Sequence, residues 1–253
     1  MSIFQRAFRQ NKTNTVQTTS DGVASDTTVS EDIENDGLKW ISEYHVACVF
    51  LLDTSNSMNI NNAIGKLNEG IKTFKDQTVD EHTKACIDVA LVSFGPDVKV
   101  HQGFKPVSEM ITPTLTAGGN TPMGAAINKA LDMVTEQKKK YTKYGTPYFR
   151  PWVFCITDGA PNDSYAAAVQ RLKQMEAEKR VLGYCVGVEN FDRNVMAGIF
   201  DTARIFELDH LNFSALFKFV SNSLVAVRNS DPNGSAAMEV EAPKDLHSLT
   251  VYR

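Results

Sequence analysis

From about Tyr44 to Asn229 the chain alternates between short continuous apolar runs and stretches whose apolar residues recur at helical spacing. Val46–Leu52 is an unbroken apolar run that stops at Asp53-Thr54-Ser55, which predicts a strand buried on both faces. Ile60, Ala63, Ile64, Leu67, Ile71 and Phe74 then fall on one side of a helix. Val89–Phe94 and Val98–Phe104 read as strands joined by Gly95-Pro96-Asp97. That turn is too short for a helical crossover, so the pair is expected as an antiparallel hairpin at a sheet edge. A helix follows with Met123, Ile127, Ala130, Leu131 and Val134 facing inward, then a strand at Trp152–Thr157. Next come a helix over Tyr165–Glu178, with Val169, Leu172 and Met175 inward, and a strand at Val181–Val188. A short helix near Arg193–Phe200, a strand at Ile205–Leu208 and an amphipathic helix at Phe213–Val227 close the series.

Strands that alternate with helices predict an α/β fold, a mostly parallel sheet with helices on both faces. One continuous alternation predicts one domain, residues 44–229, between an N-terminal tail (1–43) and a C-terminal tail (230–253). Residues 11–36 hold no aromatic residue and are rich in Thr, Ser, Asp and Glu, a composition expected to stay disordered. Before them, Ile3, Phe4, Ala7 and Phe8 share one side of a possible short docking helix, for which a frayed terminus is the simpler account. Asp231-Pro232-Asn233-Gly234 reads as a turn leading into a loosely packed end.

Composition narrows the class. With 42% hydrophobic and 22% charged residues, the 253-residue chain is expected to be soluble and globular. Its longest apolar run is far short of the ~20 residues of a membrane span, and its start lacks a secretory apolar core. A net charge of −4 gives no footprint for nucleic acid or an anionic membrane, so neither is expected as a partner. Cys48, Cys86, Cys155 and Cys185 are widely spaced, which points to reduced core thiols and a cytoplasmic location. Lys138-Lys139-Lys140 with Tyr141 and Tyr144 reads as a solvated helix end.

Three segments carry chemistry. The first strand runs into Asp53-Thr54-Ser55-Asn56-Ser57, an acid followed by hydroxyls at alternate positions. Hard oxygen donors with few carboxylates suit Mg²⁺ or Mn²⁺, while helix capping accounts for the same residues equally well, so this loop alone does not decide between them. Gly118-Gly119-Asn120-Thr121-Pro122 contains a Thr-Pro pair that would serve equally as a helix start. The third segment is Thr157-Asp158-Gly159, where Asp158 ends its strand as Asp53 does. Asn162, Asp163 or Ser164 can cap the next helix, so Asp158 is not needed for that task. In such sheets, ligands bind beyond the carboxyl ends of the strands where the winding reverses.

Asp53-x-Ser55-x-Ser57, then Thr121, then Asp158-Gly159, in that order on a Rossmann-like alternation, closely resembles the metal-ion-dependent adhesion site (MIDAS) of von Willebrand factor A (VWA) domains. The segments around Gly118–Gly124 and Tyr148–Gly159 look most like the bacterial TerY-like branch, associated with tellurium resistance and stress response. The resemblance implies a six-stranded sheet ordered 3-2-1-4-5-6 with one antiparallel edge strand. It implies Ser55 and Ser57 as direct metal ligands, Thr121 as a direct or water-mediated one, and Asp53 and Asp158 acting mainly through waters and hydrogen bonds. It also implies a non-enzymatic recognition module whose Mg²⁺ or Mn²⁺ accepts a carboxylate from a protein partner, with a protein phosphatase and a Ser/Thr kinase among the partners. Relatives often carry Gly where this chain has Asn56, a residue that tolerates left-handed backbone. Met58, Asn59, Asn120, Met123, Pro161 and Asn162 are the expected rim contacts. The enzyme alternative is a haloacid-dehalogenase-like phosphotransferase with Asp53 as nucleophile. Ser55 stands where such an enzyme carries its second, acid/base Asp, and a hydroxyl cannot take that role near neutral pH.

Overall fold

The computed structural model describes residues 43–77, 81–189, 191–230 and 243–248. The acidic stretch 11–36, the Ile3–Phe8 segment and the Asp231–Gly234 turn lie outside these residues. The sheet is built from β1 (Val46–Asp53), β2 (Ile87–Phe94), β3 (Val98–Pro106), β4 (Trp152–Thr157), β5 (Leu182–Val188), β6 (Ile205–Leu208) and β7 (Leu246–Ser248). Its order is β3-β2-β1-β4-β5-β6-β7. The six expected strands thus take the order 3-2-1-4-5-6, all parallel except β3, which returns antiparallel to β2.

β7 departs from expectation. It pairs antiparallel with β6 inside the stretch expected to be a loosely packed tail, so both sheet edges are antiparallel. A three-residue strand carries no readable alternation. Pairing fixes it instead, together with burial of Leu246 and the bond from Asn212 Nδ2 to the Asp245 carboxylate, 2.8 Å.

β1 lies inside the sheet between β2 and β4 and every one of its residues is buried, which explains its unbroken apolar run. Even-numbered residues Val46, Cys48, Phe50 and Leu52 pack toward α1 (Ala63–Gln77) and α6 (Phe213–Asn229), against Leu67, Ile71, Phe74, Phe217 and Val220. Odd-numbered Val49 and Leu51 pack on the other face with residues of α3 (Met123–Tyr144), α4 (Ala166–Ala177) and α5 (Arg193–Ile199). A further short helix, α2 (Glu81–Ala85), precedes β2.

The helix expected from Ile60 begins later. Asn56–Asn62 forms a 3₁₀ segment broken at Ile60 and Asn61, where Asn61 (φ 50°) and Asn62 (φ 58°) are left-handed. The break turns Ile60 outward, leaving it 59% exposed, although helical spacing would bury it.

Phe50 is fully buried, with ring centroids of Phe74, Phe217 and Phe154 at 5.2, 5.3 and 5.7 Å. Phe50→Ala is expected to cost about 3–5 kcal/mol in urea unfolding, whereas exposed Ile60→Ala should stay within about 0.5 kcal/mol of the parent.

Candidate metal centre

β1 and β4 are neighbours, and the helices that follow them cover opposite faces, so their carboxyl ends frame a crevice. Asp53, the last residue of β1, is fully buried there. One carboxylate oxygen accepts the Ser55 N–H at 2.7 Å, and the other accepts the hydroxyl of Thr157, the last residue of β4, at 2.6 Å. The Ser55 and Ser57 hydroxyls are 3.0 Å apart, and Ser57 Oγ donates to Asp158 Oδ1 at 2.8 Å. Oxygen donors therefore run from one wall of the crevice to the other. The Thr121 hydroxyl lies beside them, 4.0 Å from the point where a Gly159 side chain would begin. The structure brings Asp53, Ser55, Ser57 and Asp158 into one bonded row, with Thr121 next to Gly159.

Helix capping does not account for the hydroxyls. Ser55 precedes its 3₁₀ segment without a side-chain cap bond, and α3 starts at Met123 with Pro122, not Thr121, in the cap position. Nor do Asn162, Asp163 or Ser164 cap α4, whose cap position is Tyr165. Asp163 reaches across instead to the start of α3, accepting from the Gly124 and Ala125 N–H groups at 3.0 and 2.8 Å. Asn162 Oδ1 accepts from Thr121 N–H at 3.0 Å, and Asn162 N–H donates to the Thr121 carbonyl at 3.1 Å. These bonds fix the Thr121 loop against the Asp158 loop.

The first loop is tied in as well. Gly118 N–H donates to the Thr54 carbonyl at 2.8 Å, and Asn56 N–H to the Gly119 carbonyl at 3.1 Å. Gly119 is left-handed (φ +72°), and a Cβ there would sit 2.5 Å from Pro96 Cα, so the position requires glycine. Asn56 is not left-handed, so its tolerance of that conformation plays no part; Asn61 and Asn62 are the left-handed residues of this loop.

Sequence reasoning missed the roles of Thr157, Asn162, Asp163 and Gly119. The available signal for Thr157 was a lone hydroxyl closing an otherwise apolar strand beside an acid. Among the expected rim residues, Asn59, Asn120 and Asn162 are exposed and Pro161 is half-buried. Met58 and Met123 are not at the surface. Both are fully buried, one in each core layer, because each occupies the inward position of its helical turn.

Burial pushes the Asp53 carboxyl up to about 6, against the opposing pull of its bonds to Thr157 and Ser55. Burial also raises Asp158, with the Ser57 bond acting the other way. Among the described residues no group of three or more His, Cys, Asp or Glu side chains could hold a metal. A cation at this crevice would therefore rest on hydroxyls and two carboxylates. That donor set fits a hard divalent ion.

A profile of the von Willebrand factor type A domain matches residues 48–219. The chain belongs to this family. No curated protein matches the VWA chain in sequence. Solved structures share its fold at low identity. Proximal thread matrix protein 1 from the mussel byssus, with a zinc-occupied MIDAS motif, superposes with a TM-score of 0.52 at 16% identity, over 72% of this chain and 48% of its own. The pilus adhesin SpaC from Lactobacillus rhamnosus GG gives 0.59 at 12% identity, over 74% of this chain and 32% of its own. The vWF domain of the pilus tip protein Mfa5 from Porphyromonas gingivalis gives 0.51 at 10%, over 75% of this chain and 98% of its own. The match thus spans about half of the mussel protein and a third of SpaC. VWA domains are generally interaction modules rather than enzymes, and typically metal-dependent.

Two outcomes follow for the VWA site. Asp163→Ala removes the acceptor for two α3 amides and is expected to cost about 1 kcal/mol in urea unfolding. A carboxyl raised to about 6 binds a proton when folded that the unfolded chain has released, so between about pH 4 and 6 rising pH makes it cost stability. In EDTA, Tm of Asp53→Asn minus that of the parent should therefore climb through this window and flatten above it; a pH-independent difference would contradict the assignment.

Proposed function

We propose that this VWA domain is a metal-dependent recognition module in which the Asp53–Ser57 loop, Thr121 and Asp158 hold one Mg²⁺ or Mn²⁺. The single observation that carries this reading is the continuous row of oxygens across the β1/β4 crevice: Asp53, Ser55, Ser57 and Asp158, bonded in series, with Thr121 alongside. Ser55 and Ser57 would be ligands, with Thr121 as a third or as a water-mediated one. Asp53 and Asp158 orient these hydroxyls and bound waters. When bound, the cation supplies an electrophilic centre, because hydroxyls leave most of its charge uncompensated. A carboxylate from a protein partner is the natural complement.

The mussel matrix protein, with zinc at its MIDAS motif, supports a divalent ion at the same place in the fold. Mg²⁺ or Mn²⁺ suits the site because the side chains bonded in series there are hydroxyls and carboxylates. Asp53 is poorly placed as a phosphotransferase nucleophile: it is fully buried and both oxygens accept hydrogen bonds.

Exposed Asn59, Asn120 and Asn162 surround the crevice and would contact the partner. The finer reading assigns residues 44–229 as the domain, in a TerY-like cytoplasmic stress-response setting with a phosphatase and a Ser/Thr kinase as partners. Its support is the sequence of the Gly118–Gly124 and Tyr148–Gly159 segments. No helix among the described residues is long and apolar enough to cross a membrane.

Calorimetric titration with Mg²⁺ or Mn²⁺ is expected to give one site per chain, lost in Ser55→Ala and Asp53→Ala. Absence of heat at millimolar metal, with an acidic peptide present, would overturn the metal assignment. Partner capture from lysate should be abolished by EDTA; capture that EDTA leaves unchanged would place recognition on another surface.

A further inference from the structure

At the pole opposite the metal centre, by the amino-terminal ends of β4 and β5, a groove of about 470 Å³ is lined by Thr135, Lys138, Lys139, Thr142, Lys143, Tyr148 and Arg180. Four of these residues are cationic and none is acidic. The last turns of α3 supply the lysines, while Tyr141 of the same helix turns inward to bond Asp88. Lys138 Nζ lies 5.7 Å from the centre of the Tyr148 ring and 3.5 Å from the Arg180 carbonyl. Burial, followed by the Arg180 and Arg150 guanidiniums, lowers the Lys138 ammonium, so the groove holds crowded positive charge that an anion would relieve. Two of the groove's cations are held in exposed pairs, Lys139 with Glu136 and Arg180 with Glu178, and pairs of that kind exchange at little cost.

The chain enters the domain beside this groove. His45 N–H donates to the Pro147 carbonyl at 2.9 Å and Phe149 N–H to the His45 carbonyl at 2.8 Å, so His45 pairs directly with Tyr148 in the groove wall. Just upstream, the sequence concentrates Glu31, Asp32, Glu34 and Asp36 within six residues. Eight residues separate Asp36 from His45, nine Cα steps that reach up to about 30 Å in extended chain. Tethering makes even weak ion pairs effective, because the local concentration of the segment is on the order of millimolar.

We propose that the Lys138/Lys139/Lys143/Arg180 groove binds the chain's own acidic segment Glu31–Asp36, pinning the N-terminal region to the pole opposite the metal centre. The occupant is set by charge complementarity and by where the chain enters the sheet.

The four native cysteines are buried, so a nitroxide can be attached selectively at Ser30→Cys in the full chain. At low salt, the amide signals of Lys138–Lys143 and Arg180 are expected to lose more than about half their intensity relative to the reduced label. That loss should vanish in about 0.5 M NaCl, where the Debye length falls below about 5 Å. It should vanish equally at low salt in the Glu31→Gln/Asp32→Asn/Glu34→Gln/Asp36→Asn variant, whose fold is checked by its unchanged remaining spectrum. Broadening centred on any other surface, or broadening of these amides that persists in the neutralised variant, would overturn the proposal. So would an unaffected groove in the parent chain.

Discussion

The site depends on a buried carboxylate. Asp53 ends the most deeply buried strand and is tied by one oxygen to its own loop and by the other to Thr157 on β4. Burying a carboxylate costs several kcal/mol unless hydrogen bonds offset it, and two short bonds from a hydroxyl and an amide do part of that work. They also fix geometry: with β1 and β4 locked at their carboxyl ends, Ser55 and Ser57 are carried against Asp158. The residual cost appears as the raised Asp53 carboxyl, a site that would be more stable with positive charge nearby. Destabilisation without a cation and readiness to bind one are the same electrostatic fact.

Much of the fold was legible because the sheet interior imposes simple rules. β1 reads as continuous apolar residues since both its faces are covered, and α3 reads through Met123, Ile127, Ala130, Leu131 and Val134 since only one face is. Legibility fails where tertiary contacts decide. Ile60 continues a helical pattern, yet two left-handed asparagines break the helix and turn it outward. β7 is three residues long and exists by pairing with β6, which no local pattern announces. Met58 and Met123 adjoin the site loops in sequence but occupy the inward positions of their turns, one in each core layer.

The same division holds at the site. Asp53, Ser55, Ser57, Thr121 and Asp158 could be picked out because their order and spacing are unusual together, although each is an ordinary capping residue alone. Their mutual distances were not readable, because the loops are held by contacts between residues far apart in sequence. Asp163 illustrates why. Its position just before α4 predicts a local cap, but the carboxylate serves the first amides of α3, 38 residues away from Ala125, and so joins two of the three loops that build the site. A residue type reveals that a helix end needs an acceptor, and only the assembled sheet reveals which helix receives it.

Charge is divided along the molecule in a way the net value hides. Residues 11–36 hold six acids and one lysine, which is more negative than the whole chain's −4. The remainder is therefore close to neutral, and no acid lines the groove at the lysine-rich end of α3. With the proposed cation bound, the crevice at the carboxyl ends of the strands would favour carboxylates, as the cationic groove at their amino ends would, by different physics. The crevice would bind one carboxylate through a cation at short range, with little screening by salt. The groove acts through exposed ammonium groups, which salt screens within a Debye length. A tethered acidic segment suits the second kind of site, since proximity supplies what screened ion pairs lack. The crevice would then be left for a partner that must compete on affinity alone.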